Sequence, residues 1–421
     1  MQAWRPPASQ SMQLKIGVEK VSTLNDSHYC RVRLAYNVPN NFLEGDNFSF
    51  DEMCMPESKG GTMIGFSRDF SFMVKELNQE DHDSLLLCCE HLCKRVMESE
   101  SFITPTLAHF TRAADGKNFF ATISCLPVPK QHGFTCSRFD LKGNRDDKVE
   151  VWEGDKVEAV HNRCFNFTKC WYGCDVSCCK CLQTESRKRY ADGKNYAFTC
   201  PFNVTPTQRS VILESLGKDV DVLNTCGTMD YSLLVTVITT TEAEIAKNGE
   251  LPKSLLPNQP IVCAHDGRVL AYYMGVIDYL QQWTLGKQIA HLVKCCCAPH
   301  PISTVPPLAY RHQFFDHFDE KFRPTASTFA AIARPDRPDA TQTGASSVPL
   351  FSEHTLTEGK ISENSIPGNV SAAAASIIST KNTAMGRSSV GAHEQENDAA
   401  TQRIPDANVA GAKAESSENS F

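Results

Sequence analysis

At Pro324 the chain stops reading as something that can bury a core. From there to Phe421 it is built largely of Ala, Ser, Thr, Asn and Pro with few aromatics, as in PTASTFAAIARPDRPDATQTGASS and SAAAASIIST. Such a composition cannot bury enough surface to offset the entropy lost on ordering, which predicts a disordered tail over 324–421. Residues 1–12 read as a similarly loose N-terminus. Residues 13–323 are left to fold, enough for one or two domains of ordinary size.

Charge narrows the class. The sequence carries 42 Lys and Arg against 49 Asp and Glu, a formal net charge of −7, and the stretch before Pro324 holds 35 basic and 38 acidic residues. A nearly neutral folded part is not the footprint of a general nucleic-acid binder, so no nucleic-acid partner is expected. No run approaches the roughly 20 apolar residues that span a bilayer, and MQAWRPPASQ lacks the apolar centre of a secretory leader. Both features predict a cytoplasmic chain without a transmembrane segment. The 19 cysteines are scattered through long apolar segments rather than set in a short secreted framework, and read as reduced thiols.

Periodicity organises the remainder. In MIGFSRDFSFMVK, residues 63–75, apolar and polar positions alternate as in half-buried strands, with Gly60 and Gly61 before them and Lys75 near the end. Asn78 is placed to cap a helix whose apolar positions Leu85, Leu86, Cys89, Leu92, Cys93 and Val96 recur at helical spacing. FFATISCLPV, residues 119–128, reads as a strand that ends at prolines. Thr205-Pro206-Thr207-Gln208 is a capping box with proline at the first helical position, followed by the stripe Ile212, Leu216, Val220 and Leu223. That helix leads into MDYSLL, residues 229–234, and the β-branched run VTVITTT. A strand over Val269–Ile277 then reaches Asp278 and a helix expected from about Tyr279 to Cys297.

Phosphoryl transfer needs few protein groups: a loop over the phosphates, a cation on their oxygens, a carboxylate for Mg²⁺, and a group to orient the attacking hydroxyl. Taken singly, Lys75 reads as a surface lysine and Asp230 and Asp278 as turn residues. Their order is more telling. A glycine turn, a strand lysine, a helix, a connector, a loop acid and a strand-terminal acid follow the plan of a two-lobed kinase, although no HRD or DFG string of a protein kinase is present.

Three separated strings carry a resemblance. FDLKG at 139–143 resembles the DLKG signature of phosphatidylinositol phosphate kinases, 229–234 reads as their MDYSLL, and GVIDYLQ at 275–281 is similar to their GIIDxLQ. Two further segments are similar to the family pattern: Ser67-Arg68-Asp69-Phe70 through Val74-Lys75 to the SxDxRFxIK strand pair, and STVPPLAYRHQFFDHF at 303–318 to the closing SxVxPxxYxxRFxxF. The resemblance covers about 58–318. It implies an α+β, two-lobed lipid-kinase fold with an antiparallel sheet in each lobe, flanked by helices. The N-lobe falls at about 13–130 and the C-lobe at about 131–323.

Carried over residue by residue, the resemblance implies Lys75 on the ATP phosphates, Asp230 as the catalytic-loop acid and Asp278 as the Mg²⁺ ligand. It puts Lys142 near nucleotide and phosphates, with Gly60 and Gly61 in the phosphate loop and Asp140 either in a direct role or as a turn carboxylate. ATP and Mg²⁺ are the cofactors it implies. The partner is a phosphoinositide at the cytosolic face of a membrane, read by the segment after Asp278 through Lys287, Ala290 and Lys294. Ala290 stands where 5-phosphate 4-kinases of the family carry Ala and 4-phosphate 5-kinases carry Glu. Either monophosphorylated inositide stays open as substrate, as does oligomeric state.

Departures are plain. Asn144 follows DLKG where Ser is usual, and the family's KDxD segment is not recognisable. A Cys-rich insert at 164–181, CFNFTKCWYGCDVSCCKC, lies there instead, readable as a thiolate zinc site or a lineage-specific, lipidated loop. The loose match of Gly60 and Gly61 to the family's glycine-rich loop and the missing KDxD motivate a second reading as a pseudokinase scaffold that binds phosphoinositide without turnover. Cys295-Cys296-Cys297 adds a potential acylation site.

Overall fold

The computed structural model describes residues 14–55, 62–98, 100–127, 134–159, 184–297 and 301–325. Gly60, Gly61, residues 1–12, the Cys-rich insert and the tail beyond Thr325 lie outside those residues. Among the described residues every cysteine with a described side chain is a free thiol.

The expected α+β architecture is found, with two six-stranded antiparallel sheets flanked by helices. The N-terminal sheet contains β1 (Lys15–Ile16), β2 (Glu19–Thr23), β3 (Ile64–Phe66), β4 (Phe72–Leu77), β5 (Thr106–Arg112) and β6 (Asn118–Ile123), in the spatial order β1-β2-β5-β6-β4-β3. The second contains β7 (Cys136–Leu141), β8 (Lys148–Trp152), β9 (Asp155–Lys156), β11 (Ser232–Thr240), β12 (Ile261–His265) and β13 (Arg268–Ile277), ordered β12-β13-β11-β7-β8-β9. A small parallel pair joins β10 (Phe202–Val204) to β14 (Phe322–Pro324), so the described chain runs past the composition break at Pro324. Helix α1 (Asp26–Ala35) packs on β5 and on α2 (Gln79–Glu98). Helix α3 (Glu185–Thr199) covers β7 and β8, and α4 (Pro206–Thr225) packs against α7 (Pro307–Lys321). Helices α5 (Glu242–Asn248) and α6 (Leu285–Cys297) complete the set.

Local sequence accounts for the main elements. Of the expected α2 stripe Leu85, Cys89, Leu92, Cys93 and Val96 are buried and Leu86 is exposed, and Asn78 Oδ1 accepts from the Asp81 amide at 2.8 Å to start the helix. Thr205 and Gln208 form the reciprocal capping box of α4, with bonds of 3.2 and 3.0 Å. One continuous hydrophobic cluster reaches from Leu14 to Phe322 and takes in both sheets. The two halves are therefore packed against each other through side chains rather than merely tethered.

Two elements are shorter than their periodicity predicts. β6 ends at Ile123, not Val128, because its partner β4 begins at Phe72, the residue that pairs with Ile123. Helix α6 begins at Leu285, not Tyr279. The intervening backbone is taken up in pairing: Met229 N donates to Gln281 O at 2.9 Å, Thr228 and Gln282 form a bridge, and Trp283 N donates to Gly227 O at 3.3 Å. The Tyr279 side chain is buried toward the N-terminal sheet, its hydroxyl 2.8 Å from Thr104 O and 3.1 Å from Thr106 Oγ1.

Candidate active site

Strand register gathers three of the sequence-predicted residues. In the second sheet Ser232, which opens β11, pairs with Ile277, which closes β13, and Leu233 pairs with Leu141, which closes β7. Asp230 just before β11, Asp278 just after β13 and Lys142 just after β7 thus emerge at one end of the sheet. Both aspartates lie in the left-handed region, Asp230 at φ 64° and Asp278 at φ 55°. Aspartate is one of the few non-glycine residues that visits this region, and here it turns the chain at the strand end.

Lys75 reaches the same end from the other sheet. Residues 74 and 75 point to opposite faces of β4: Val74 is buried in the core, and Lys75 Nζ donates to Asp278 Oδ1 at 2.6 Å. Lys142 Nζ binds the Asp230 carboxylate at 2.5 Å and the Asp230 carbonyl at 2.9 Å. With the Gln281 amide nitrogen turned to Asp230, it donates to Oδ2 at 2.9 Å while its oxygen accepts from Lys287 Nζ at 2.5 Å. A second-sheet pair, Lys148 with Asp140 at 2.9 Å, lies beside these.

These charges hold one another ionised. Burial pulls the Lys75 and Lys142 ammonium groups down, but Asp278 acting on Lys75, and Asp230 and Asp140 acting on Lys142, more than reverse that, so both lie above the ordinary lysine value. Lys148 is raised by Asp140 and Glu150 against its own burial. Burial pushes the Asp278 carboxyl up, and Lys75, Lys142 and Lys148 together bring it below the ordinary carboxylate range. At neutral pH the site presents three ammonium groups and an ionised Asp278.

Glycine sets the spacing of the sheets. A Cβ on Gly275 would stand 2.6 Å from Cys125 Cβ and 2.9 Å from Thr104 Cγ2, so the face of β13 that carries this residue is pressed against the N-terminal half. Gly275 pairs with Leu234, and Leu234 with Asp140, so all three share that face. Asp140 is accordingly a strand residue looking toward the other sheet, not a turn carboxylate, and its Oδ1 is buried without a partner among the described residues.

The strings that resemble the lipid kinases are also in contact. Tyr310 of the closing segment lies with its hydroxyl 3.1 Å from the Lys142 carbonyl and 2.5 Å from the Tyr231 carbonyl, bridging DLKG and MDYSLL. Gly143 takes φ +71° where a Cβ would stand 3.2 Å from Phe314 Cα of α7. The phosphatidylinositol-4-phosphate 5-kinase family model matches residues 47–261 and 257–321.

The chain belongs to that family. Among curated proteins no sequence matches it. Membership makes it, in the general sense, a phosphoinositide phosphate kinase. No helix among the described residues is long and apolar enough to cross a membrane.

Family membership gives the departures a structural meaning. Asn144, in place of Ser, is fully buried; its side-chain oxygen accepts from Asp146 N at 2.8 Å and its amide donates to Lys142 O at 3.1 Å. Asp147, also fully buried, accepts from Lys142 N at 2.6 Å and Asn144 N at 3.3 Å. The turn after DLKG is thus held by its own side chains. Sequence reasoning gave no role to Asp147, whose partners lie only five and three residues away, or to Tyr310, whose contacts span 168 and 79 residues and show in no local spacing.

Lys287, Ala290 and Lys294 all lie half-buried on α6. Lys294 Nζ donates to Thr304 Oγ1 at 2.6 Å, and burial holds its ammonium below the ordinary value although Asp146 and Asp230 oppose the shift. Both lysines look inward. The opposite side of α6 carries Leu285, Ile289, Leu292 and Val293, each more than half exposed.

Proposed function

We propose that this chain transfers the γ-phosphate of ATP to a free ring hydroxyl of a monophosphorylated phosphatidylinositol at the cytosolic face of a membrane. The observation that carries the reading is the meeting of Lys75, Lys142, Asp230 and Asp278 at one sheet end, with Lys75 supplied by the other sheet. Two cations beside two acids match what a polyphosphate and its metal require.

The residues present fit magnesium. No three His, Cys, Asp or Glu side chains converge among the described residues, so no all-protein metal cage exists there. Mg²⁺ is ordinarily held by one or two carboxylates together with substrate phosphates, and Asp278, ionised and half exposed, is such a carboxylate. When bound, the ion offsets phosphate charge. Lys75 and Lys142 keep their protons and neutralise the transferring oxygens. Asp230, fixed by Lys142 on one oxygen and Gln281 on the other, orients the lipid hydroxyl and accepts its proton.

Helix α6 supports the choice of a lipid acceptor. Its inward lysines, Lys287 and Lys294, carry charge to the side of Asp230, where a headgroup phosphate would enter. Its outward side is apolar, the pattern of a helix lying in a bilayer interface. Ala290 supports the 5-phosphate 4-kinase subtype, and both headgroup isomers remain substrates to compare.

The test is radiolabel transfer from ATP to vesicles containing each monophosphorylated inositide in turn, with Asp278→Asn as the control. Label in the bisphosphate product, abolished in the variant, is the expected result. Binding of the same vesicles without transfer to any isomer would overturn the enzyme reading in favour of a phosphoinositide-binding scaffold.

A further inference from the structure

Three segments that carry the site meet on one side-chain amide. Gln282 Nε2 donates to Ser84 Oγ at 2.9 Å and to the Cys226 carbonyl at 3.1 Å, with Cys88 Sγ at 3.7 Å. The carbonyl can only accept, which fixes the amide with its nitrogen toward Cys226 and occupies both of its N–H groups. Ser84 and Cys88 are buried on α2, the helix that follows β4 and its Lys75. Cys226 is the C-cap of α4 and opens the turn that ends at Asp230. Gln282 itself belongs to the stretch that leaves Asp278.

The two acids are held differently. Asp278 is tied to the N-terminal half without Gln282, through Lys75 on its carboxylate at 2.6 Å and through the next residue, Tyr279, whose hydroxyl donates to Thr104 O at 2.8 Å. The turn before Asp230 instead rests on residues 281 and 282. Met229 N donates to Gln281 O at 2.9 Å, Thr228 bridges to Gln282, and Gly227, at φ +71°, leaves room for Gln282 Oε1, which a Cβ there would meet at 3.2 Å. The Gln282 amide then fastens this turn to α2. Cys88 Sγ also donates to the Cys226 carbonyl, at 3.8 Å, but a thiol is the weaker donor.

We propose that Gln282 is a positioning residue, which sets Asp230 against the acceptor hydroxyl by tying the turn before that acid to α2. The proposal rests on the reading of Asp230 as the group that orients the hydroxyl. Release of the turn shifts the acid while Lys75 and Asp278 stay paired, so the chemical step suffers and nucleotide binding does not. A displacement of about an ångström is enough to cost up to about a hundredfold in rate.

Gln282→Met keeps the length of the side chain and cannot donate. With a short-chain, water-soluble monophosphorylated inositide as acceptor, kcat per nucleotide-binding site should fall by about tenfold or more at an unchanged KM for ATP. The amides of residues 226–229, all hydrogen-bonded in the wild type, should exchange with deuterium about tenfold faster, while those of β4 and β11 keep their rates. Gln282→Glu adds a readout that packing alone does not move. Its carboxylate repels the Cys226 carbonyl and its protonated form can donate to it, so kcat relative to wild type should recover as pH falls. That variant also carries the test where Gln282→Met does not fold. Wild-type kcat in Gln282→Met, a loss that lies in KM for ATP, exchange raised equally across β11, or a flat pH ratio in Gln282→Glu would each overturn the proposal. A wild-type chain that transfers no phosphate overturns the kinase reading instead, and exchange at residues 226–229 then decides by itself whether Gln282 holds the turn.

Discussion

Lys75 Nζ and Asp278 Oδ1 lie 2.6 Å apart across 203 residues of sequence, one from each sheet. The pair is partly exposed, so it contributes about 1 kcal/mol or less to stability, and its value lies in placing charge. Lys75→Ala and Asp278→Asn are each expected to lower phosphoryl transfer by about a hundredfold or more. Urea midpoints should stay close to wild type. Wild-type turnover in Asp278→Asn would remove the metal assignment.

The Tyr310 hydroxyl makes a different prediction, because it serves two main-chain carbonyls in a fully buried position. Tyr310→Phe keeps the ring against Tyr231, whose centroid is 4.7 Å away, and removes this donor from the Tyr231 carbonyl, while the Lys142 carbonyl keeps the Asn144 amide at 3.1 Å. Leaving buried acceptors unsatisfied costs about 1–3 kcal/mol. Denaturant unfolding should show that loss, and transfer should fall with it because the released Tyr231 carbonyl adjoins Asp230 and the lost hydroxyl also tied it to Lys142. Unchanged stability would mean that water replaces the hydroxyl.

Much of this fold was legible because α2, α4 and β13 obey periodicity and capping rules that act within a few residues. Asn78 and Thr205 could be read as caps since their partners lie three residues on. Lys75, Asp230 and Asp278 could be named from order and resemblance, but their meeting depends on the register of β11 against β13 and on the packing of the sheet that holds β4 against theirs, which no local pattern encodes. The early part of the helix expected at Tyr279 failed for the same reason: residues 281–283 pair with 227–229, a non-local demand that overrides helical spacing. Asp140 was misread as a possible turn residue because a single carboxylate three residues before a glycine looks alike in a strand and a turn.

Gly275 shows what the GVID glycine does physically. Its missing Cβ leaves room for Cys125 and Thr104, which would otherwise stand at 2.6 and 2.9 Å. Gly275→Ala must push the halves apart, at a cost of about 1–3 kcal/mol for overpacking. The expected result is a lower melting temperature, together with reduced transfer because Lys75 and Asp278 approach from opposite sides of that seam. Unchanged values of both would show that the seam yields without disturbing the site.

His109 supplies a pH dependence. It is fully buried, 2.9 Å from His82 Nδ1, and burial with the neighbouring histidine lowers its pKa to about 4 from 6.5. The unfolded chain therefore binds this proton first as pH falls. Stability from the neutral ring is complete above about pH 6.5 and is lost as pH drops toward 4, by ~3 kcal/mol in all. His109→Phe should flatten unfolding free energy across that window relative to wild type. Parallel curves for the two proteins would contradict the assignment.

The last prediction separates membrane docking from chemistry. Ile289 and Leu292 are exposed on α6, on the side away from Lys287 and Lys294. Burying such side chains in lipid is worth about 1.5–3 kcal/mol each, and a charge there reverses the gain. Ile289→Glu with Leu292→Glu should reduce vesicle partitioning by about a hundredfold or more, and transfer to vesicle lipid should fall in step. Transfer to a short-chain, water-soluble inositide should persist, because Lys75, Lys142, Asp230 and Asp278 are untouched. Equal loss on both substrates would mean that the apolar face supports the fold of the site rather than its approach to a bilayer.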